Sequence, residues 1–416
     1  MKHPQGPLAG VRVLDAAGMI AGPSAAAMMA DLGADVIKLE PPHGDLLRTM
    51  ALIPGTPAPW WQLDNRGKRG IAVDLNTDDG VRVAHDLTKT CDVFLTNLTR
   101  KRQERYRVTP EELRADHPEL IYANVTGYGA DGPERDRLAF DITAFFGRGG
   151  VLDIMGEPGS TPPSPRPGQG DHTTALAVLS SILLALRERD LTGEGQVINL
   201  ALLQIAAWTL GADLSIGLAA GQPPSPAMRM EAPSPLLSRF QCSDGRWLSL
   251  SNPGPQHWAP FCDLVGHPEW IHDARFATPI SRVENGPELM FICDDIFAAR
   301  TVAEWGSLFD DVGITWAPIQ NLKEVINDPQ IEALGVFGNV EGLGQPYRTL
   351  NTPFSMESRS EIRGRAPEHG EHSAEILAEL GYDATEVSQL TSNGTIVDGG
   401  VDGGVDGGVD GGEASA

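Results

Sequence analysis

The stretch GQGDHTTALAVLSSILLAL, from Gly168 to Leu186, places a carboxylate at the start of an almost continuously apolar run. Such a run is typical of a buried helix, and an ionised carboxylate seldom lies beside one without a reason. As an N-cap, Asp171 accepts a hydrogen bond from the backbone N–H of Thr173 or Thr174 and stabilises the helix by roughly 1 kcal/mol. As a nucleophile, it is kept ionised by the helix terminus and attacks an activated acyl group.

The cap and the nucleophile are compatible interpretations, because a cap holds the side chain in place for attack. Gly168 and Gly170 flank the site and let a ligand approach the backbone closely. Backbone N–H groups near these glycines are candidates to hold an oxyanion. The carboxylate and its flanking glycines therefore predict a site for acyl chemistry at the start of a buried helix.

The elements that position this site follow an alternating pattern. Strands are predicted at 11–15, 35–40, 70–75, 92–98 and 121–129. Helix patterns lie between them, and one opens with a capping box, Thr109 to Glu112. Strands that alternate with helices of this length predict βαβ units and an α/β fold with a mostly parallel sheet.

A change of composition marks a second domain. Prolines interrupt the pattern at 221–240, a β-hairpin is predicted around Asp244 and Gly245, and helix patterns follow. We place a small α+β domain at 225–330, inserted between a large domain at 1–210 and its C-terminal part at 331–390. The VDGG repeat that occupies most of 394–416 cannot bury a core and is predicted to be disordered.

Composition and motifs exclude several classes of function. The net charge of −24 argues against binding to nucleic acid or to an anionic membrane. The four cysteines form no CxxC pair and read as buried free thiols. No signal peptide or membrane-spanning segment is recognised, so a soluble cytoplasmic protein is predicted. The first strand-to-helix turn lacks GxGxxG, and HExxH is absent, so neither a nicotinamide cofactor nor a metal is expected.

Four sequence blocks resemble the family III CoA-transferases, the formyl-CoA/carnitine/bile-acid group of CaiB/BaiF type. The resemblance extends from about Pro7 to Gly381. The blocks are PLAGVRVLD…AGP…ADLGADVIKLEPPHGD, NRGKRGIAVDL, NVTGYGADGP and LTGEGQVINLALL. The resemblance implies a Rossmann-like large domain formed by both chain ends, a small inserted domain, and an interlocked homodimer with active sites at the subunit interface.

The resemblance also implies a reaction. CoA moves reversibly between an acyl-CoA thioester and a carboxylic acid acceptor, and coenzyme A enters as a substrate, so no cofactor is bound permanently. The family nucleophile is an aspartate in a GD pair before a long apolar helix, and Asp171 matches that position. Asp171 then forms a mixed anhydride and afterwards an aspartyl-CoA thioester, which splits one difficult step into easier ones.

The same resemblance implies a set of CoA contacts, each of which also has a purely structural interpretation. Ile20 and Ala21 match backbone contacts to the nucleotide, and Gly127 and Tyr128 match the pantetheine wall. Arg105 matches a phosphate-binding arginine. The stretches that match the adenine pocket and the turn after the next strand are Val73, Asp74, Leu75 and Asn76, with Asn97 and Leu98.

Departures from the family pattern bear on substrate and mechanism. Pro41 stands where some members carry a CoA-binding arginine, so phosphate binding is assigned to Arg105 or Lys68. A glycine run typical of the formyl-CoA enzymes is missing between Gly221 and Trp247, which argues against an oxalate or formyl substrate.

Two alternatives to the transferase remain open from the sequence. The first is an α-methylacyl-CoA racemase, which needs a His–Asp pair of bases; here Phe140 stands at the histidine position and Asp141 reads as a helix cap. His172 reads as a supporting polar residue. The second is a non-catalytic CoA-binding homologue.

The nature of the acid is only weakly indicated. Trp60, Trp61 and the stretch 141–156 suggest an apolar wall for a bulky acid, or equally a hydrophobic core.

Overall fold

The computed structural model describes residues 6–50, 52–357 and 362–399. These residues divide into two compact units. The large unit holds the described residues up to Val151, Ser164–Leu214 and those from Gly335 onward. The small unit holds Leu152–Pro163 and Ser215–Leu334.

The large unit is built on a twisted sheet whose strands match the predicted alternation. The strands of both units, in chain order, are β1 (Arg12–Asp15), β2 (Asp35–Glu40), β3 (Arg69–Val73), β4 (Val93–Thr96), β5 (Ile121–Thr126), β6 (Val197–Ala201), β7 (Arg239–Gln241), β8 (Trp247–Leu250), β9 (Trp316–Pro318), β10 (Phe337–Asn339), β11 (Arg348–Leu350) and β12 (Ile396–Val397). Among the described residues the main sheet has the order β12-β3-β2-β1-β4-β5-β6. Strands β1 to β6 of this sheet are parallel to one another, and their spatial order, 3-2-1-4-5-6, is typical of dinucleotide-binding folds.

Helices cover this sheet, and others lie in the small unit. They are α1 (Ala21–Asp31), α2 (Pro59–Asn65), α3 (Asp78–Lys89), α4 (Arg100–Arg105), α5 (Pro110–Arg114), α6 (Val151–Met155), α7 (Gln169–Thr192), α8 (Leu202–Thr209), α9 (Gly211–Ala220), α10 (Trp258–Leu264), α11 (Pro279–Glu284), α12 (Gly286–Phe297), α13 (Val302–Val312), α14 (Leu322–Ile326), α15 (Pro329–Ala333), α16 (Ser373–Glu379) and α17 (Ala384–Ser392). The predicted capping box is confirmed at the start of α5, where the side chains and backbones of Thr109 and Glu112 bond reciprocally.

Alternate side chains of each central strand enter different cores. Val13 belongs to the cluster that packs under α1 and α7, whereas its neighbour Leu14 belongs to the cluster on the opposite face. α1 is buried along its whole length, and its small residues, such as Ala25 and Ala26, let α7 pack closely against it. This packing places the start of α7 beside the loop that follows β1.

The small unit contains a three-stranded antiparallel sheet of β7, β8 and β9. Its predicted hairpin is confirmed, with Gly245 at φ +74° between β7 and β8. Trp258, Trp270 and Trp305 are buried in its core, and so are three of the four cysteines. All four cysteines are free and buried, as predicted.

Two predicted boundaries are corrected by long-range contacts. The segment 152–163, predicted to lie in the large domain, belongs to the small unit, where Glu157 accepts a hydrogen bond from the backbone N–H of Arg229 at 3.4 Å. The disordered tail was predicted to begin at 394, yet β12 pairs antiparallel with β3 and Ile396 is buried. The rest of the repeat, 400–416, lies outside the described residues.

Among the described residues, no single helix is long and apolar enough to cross a membrane. The bent pair formed by α8 and α9 meets the length and composition criteria only when its two halves are taken together across a 75° break.

Candidate active site

Asp171 lies in the first turn of α7 and does not cap that helix. The cap position is Gly168, at φ +92°, and the Asp171 side chain makes no capping hydrogen bond. The prediction that Asp171 accepts the N–H of Thr173 or Thr174 is therefore wrong. The helix begins two residues before Asp171, so the carboxylate projects from the first turn and is left free for another role.

Asp141 caps α7 from outside the helix. Its Oδ2 accepts hydrogen bonds from the backbone N–H of Gly168 at 2.8 Å and of Gly170 at 3.3 Å. Its Oδ1 accepts from the N–H of Ile142 at 2.7 Å, at the start of a π-helical turn. The predicted capping role of Asp141 is confirmed, and it serves two helical elements. These two glycine N–H groups are occupied by Asp141. They are therefore not free to hold an oxyanion, contrary to the prediction made for them.

The electrostatics of Asp171 also differ from the prediction of a freely ionised carboxylate. Burial, followed by the negative charge of Asp141, raises the pKa of Asp171 to about 7. The charge of His172 lowers this pKa and that of Asp64 raises it. Two N–H groups at the helix terminus, those of Gly168 and Gly170, are bonded to Asp141 and not to Asp171.

His172 is tied to the neighbouring helix α2. Its Nε2 lies 3.1 Å from Oδ1 of Asp64, which is buried, while the imidazole itself is 44% exposed. Oδ1 of Asp64 also accepts a hydrogen bond from the hydroxyl of Ser24 in α1. Three elements, α1, α2 and α7, thus meet at the carboxylate of Asp64.

Asp171 opens into a cavity of about 380 Å³ in the large unit, which we call the Asp171 cavity. The predicted contact residues that line it are Ile20, Ala21, Asn97, Leu98 and Gly127. Three exposed apolar side chains also line this cavity: Leu46, Leu138 and Phe140. One cavity therefore brings the predicted nucleophile together with five of the predicted CoA contacts.

A second cavity, of about 540 Å³, adjoins the first and is called here the Val73 cavity. It is lined by Val73, Asp74, Leu75 and Asn76, and shares Leu98 and Arg102 with the Asp171 cavity. The two cavities form a cleft along the carboxyl ends of the parallel strands, where ligands bind in folds of this class.

Two predicted contacts lie outside the lining of both cavities. Arg105 is exposed at the end of α4, and Tyr128 packs under the guanidinium groups of Arg137 and Arg148 at 5.4 and 5.2 Å. Arg102, one turn before Arg105, lines both cavities. Sequence reasoning missed Arg102, and the only signal for it was the basic run TRKRQERYR, which does not show which of its arginines lines a cavity.

Asn97 acts on the protein backbone. Its amide accepts a hydrogen bond from the N–H of Gly18 at 2.9 Å and donates one to the carbonyl of Gly18 at 2.8 Å. The next residue, Met19, has a φ of +64°, and its N–H is directed at the carboxylate of Asp45 at 3.3 Å. These bonds hold the loop before α1 in a conformation that an L residue seldom adopts.

Lys68 is not available to a phosphate. Its ammonium donates to Asp15 at 2.7 Å and to Asn65 at 2.9 Å, and the side chain is fully buried. Burial lowers the pKa of Lys68 to about 8 despite the charge of Asp15. The prediction that Lys68 binds phosphate is therefore wrong, because this ammonium is a buried link between β1 and α2.

The predicted aromatic wall is mostly core. Trp61 is buried with Ile20 and Leu47, and its indole N–H donates to the carbonyl of Pro367 at 3.1 Å. Phe145 and Phe146 are likewise buried. None of the aromatic residues in the predicted wall lines the Asp171 cavity; Phe140, which precedes the stretch 141–156, does. In the part of the chain that the structure describes, no group of three or more His, Cys, Asp or Glu side chains is arranged to hold a metal ion.

Comparison with known proteins places this geometry in a family. The chain matches the family described as CoA-transferase family III over residues 8–373. It is 30% identical to the (R)-2-hydroxy-4-methylpentanoate CoA-transferase of Clostridioides difficile, over 94% of this chain and 99% of that protein. It is 31% identical to the succinate–glutarate CoA-transferase of Agrobacterium fabrum, over 91% of this chain and 97% of that protein.

A solved structure shares the fold. A CAIB/BAIF family protein from Brucella suis superimposes with a TM-score of 0.80 at 30% identity, covering 90% of this chain and 100% of that chain. The predicted α/β class with a large parallel sheet is confirmed by this match and by the strand order. The family match spans most of the chain and the relatives are named CoA-transferases, so this protein belongs to CoA-transferase family III and is a CoA-transferase.

Proposed function

We propose that the protein moves CoA between an acyl-CoA thioester and a free carboxylic acid, with Asp171 as the nucleophile. The observation that carries this proposal is the position of Asp171: it is an uncapped carboxylate at the inner end of a cleft lined by the predicted CoA contacts. A carboxylate in such a place suits attack on a thioester, which is an activated acyl group.

The steps balance without any outside reagent. An oxygen of Asp171 attacks the thioester carbon, the C–S bond breaks, and CoA leaves as a thiolate. The thiolate attacks the aspartyl carbon of the mixed anhydride and releases the donor acid as a carboxylate. The acceptor carboxylate then attacks the aspartyl-CoA thioester, and the same two steps in reverse order give the new acyl-CoA and free Asp171.

The cleft also supports an assignment of the two ends of CoA. The Asp171 cavity takes the thioester end, since it holds the nucleophile, and the Val73 cavity takes the nucleotide end. Arg102 lies where the two meet and is the cation that we assign to a CoA phosphate. Arg105 remains the cation indicated by the family resemblance, and the two assignments are tested against each other below.

The acid is proposed to carry an apolar chain. Leu46, Leu138 and Phe140 expose apolar surface to the Asp171 cavity. The acid named for the Clostridioides difficile relative, 4-methyl-branched and hydroxylated, is of that class. The interlocked homodimer and the cytoplasmic location implied earlier stay predictions, and light scattering and cell fractionation test them.

The decisive experiment is intact-protein mass spectrometry after incubation with a panel of apolar and dicarboxylic acyl-CoAs. The wild type is expected to gain CoA minus one water, and hydroxylamine to convert that adduct to a hydroxamate at Asp171. Asp171→Asn should show neither product and lose activity on the order of 10⁴-fold.

The neighbouring variant Thr173→Ala is the matched control, because Thr173 is exposed on the same helix and its hydroxyl donates to the backbone carbonyl of Gln169, one turn earlier. An adduct that survives in Asp171→Asn would overturn the assignment. So would wild-type exchange of an α-proton for deuterium with no adduct, which is the behaviour of a racemase.

A further inference from the structure

Three carboxylates meet at the start of α7. Asp171 lies on the helix, Asp141 caps it, and Asp64 reaches it from α2. The attacking form of Asp171 is the anion, yet burial and then the charge of Asp141 raise the pKa of Asp171 to about 7. The site therefore opposes the ionised form that the proposed reaction requires, and among these effects a positive charge on His172 acts in the opposite direction.

His172 is positioned to supply that charge. Its Nε2 lies 3.1 Å from Oδ1 of Asp64, a distance that requires the ring nitrogen to carry its proton when the carboxylate accepts. Asp64 is 1% exposed, and among the described residues its second oxygen, Oδ2, has no hydrogen-bond partner. A buried carboxylate with an unsatisfied oxygen favours a cation at its other oxygen.

The surroundings of the imidazole act in the same direction. Burial opposes the charged ring, but the hydrogen bond that it donates to Asp64 and the charges of Asp64, Asp171 and Asp141 raise the pKa of His172 above its usual value. The hydroxyl of Ser24 donates to the same oxygen of Asp64, so the orientation of that carboxylate is set from α1 as well. The opposite edge of the ring faces Gly168, where a Cβ would lie 3.5 Å from Nδ1.

We propose that Asp64 holds His172 as an imidazolium beside Asp171, and that this pair keeps the nucleophile in its ionised, attacking form. This inference rests on the proposed role of Asp171. His172 is a positioning residue on this account, because the exchange of CoA between a thioester and a carboxylate consumes no proton. The imidazolium acts through its charge, and no proton moves to or from the ring.

The test compares the wild type with His172→Gln, which keeps an N–H donor for Asp64 and removes the charge. The rate of aspartyl-CoA formation is measured in single turnovers from pH 5.5 to 8.5. A neighbouring opposite charge lowers the pKa of an aspartate by about one unit or more, so removal of the His172 charge should move the acidic limb of the pH–rate profile up by about one unit. The variant should then be slower by about tenfold at pH 6 and within about twofold of wild type at pH 8.5.

Other charged groups line the Asp171 cavity and are unchanged in the variant: Lys38, Glu40, His43, Asp45, Arg102, Arg135 and Arg137. A purely structural loss would slow the reaction equally at every pH and would overturn the proposal, as would an unmoved limb. Absence of any adduct in the wild type would instead overturn the proposed role of Asp171.

A second measurement is independent of turnover. With histidine isotopically labelled, NMR titration of the wild type should show His172 protonated at pH 7, and Asp64→Asn should lower its pKa. A neutral His172 at pH 7 in the wild type would overturn the proposal even if His172→Gln failed to fold.

Discussion

Asp141 holds the helix terminus from which Asp171 projects: its Oδ2 accepts the N–H of Gly168 at 2.8 Å and that of Gly170 at 3.3 Å. The two carboxylates therefore share one helix start, with one bonded to the backbone and the other left free. The charge of the first acts on the second, since Asp141 is, after burial, the largest cause of the raised pKa of Asp171.

Asp141→Asn should make the nucleophile ionise at lower pH. The amide oxygen keeps an acceptor for the helix N–H groups, while the negative charge that raises the pKa of Asp171 is removed. The acidic limb of the pH–rate profile for adduct formation should move to lower pH. This shift is opposite in direction to the one expected for His172→Gln. Single-turnover rates from pH 5.5 to 8.5 measure it, and a limb that stays in place or moves up would contradict this account.

Asp171→Asn should be more stable than the wild type at pH 8. The pKa of Asp171 in the folded protein, about 7, lies above the usual value of 3.8 for the free side chain. The protonated form is thus favoured in the fold, and this stability is complete below about pH 4 and lost as the pH rises through 7. Asparagine mimics the protonated form at every pH.

Thermal unfolding at pH 5 and pH 8 checks this prediction. The difference in Tm between Asp171→Asn and the wild type should be larger at pH 8. The control is Asp190→Asn, an exposed position near the other end of α7. Its difference in Tm from the wild type should not increase between pH 5 and pH 8. Equal differences at both pH values would mean that Asp171 ionises normally in the folded protein.

Arg102→Ala should weaken CoA binding more than Arg105→Ala does. Arg102 lines both cavities, whereas Arg105 is exposed outside their lining. Loss of one charge-assisted hydrogen bond to a phosphate corresponds to about tenfold in Kd, and an exposed arginine without that bond should change Kd by less than about threefold. Titration calorimetry with CoA decides between them. A larger loss of CoA affinity for Arg105→Ala would restore Arg105 as the phosphate-binding arginine implied by the family resemblance.

Gly170→Ala should destabilise the start of α7. A Cβ there would lie 2.7 Å from Cγ of Phe145 and 3.0 Å from Cβ of Asp141, so the cap must shift. We expect a loss of about 1–3 kcal/mol in the free energy of unfolding, together with lower activity. The matched control is Gly211→Ala, where nothing lies within 4 Å and the change should be neutral or stabilising. Equal unfolding curves for the two variants would contradict the contact with Phe145.

Local patterns were enough to predict much of the scaffold. The alternation of apolar strands and capped helices predicted β1 to β5, because each of those elements is specified by the periodicity of its own residues. The family blocks, read without any structure, selected Asp171 and the residues of two adjoining cavities. A carboxylate beside a buried helix was visible in the sequence because it conflicts with its apolar surroundings.

Tertiary contacts decided what the site residues do. Asp141 caps α7 across 27 residues, and the ammonium of Lys68 is bonded to Asp15 across 53 residues. Such partners are brought together by the packing of α1, α2 and α7 and leave no local pattern. Arg102 lines the cleft and Arg105, one turn further along α4, does not, which depends on how far the cleft extends along that helix.

Sequence patterns were therefore enough to predict the fold class and the family, and to propose Asp171 as the nucleophile. Which groups surround Asp171, and with them its charge state, came from the folded structure, because burial and the distances between charges depend on residues far apart in the chain.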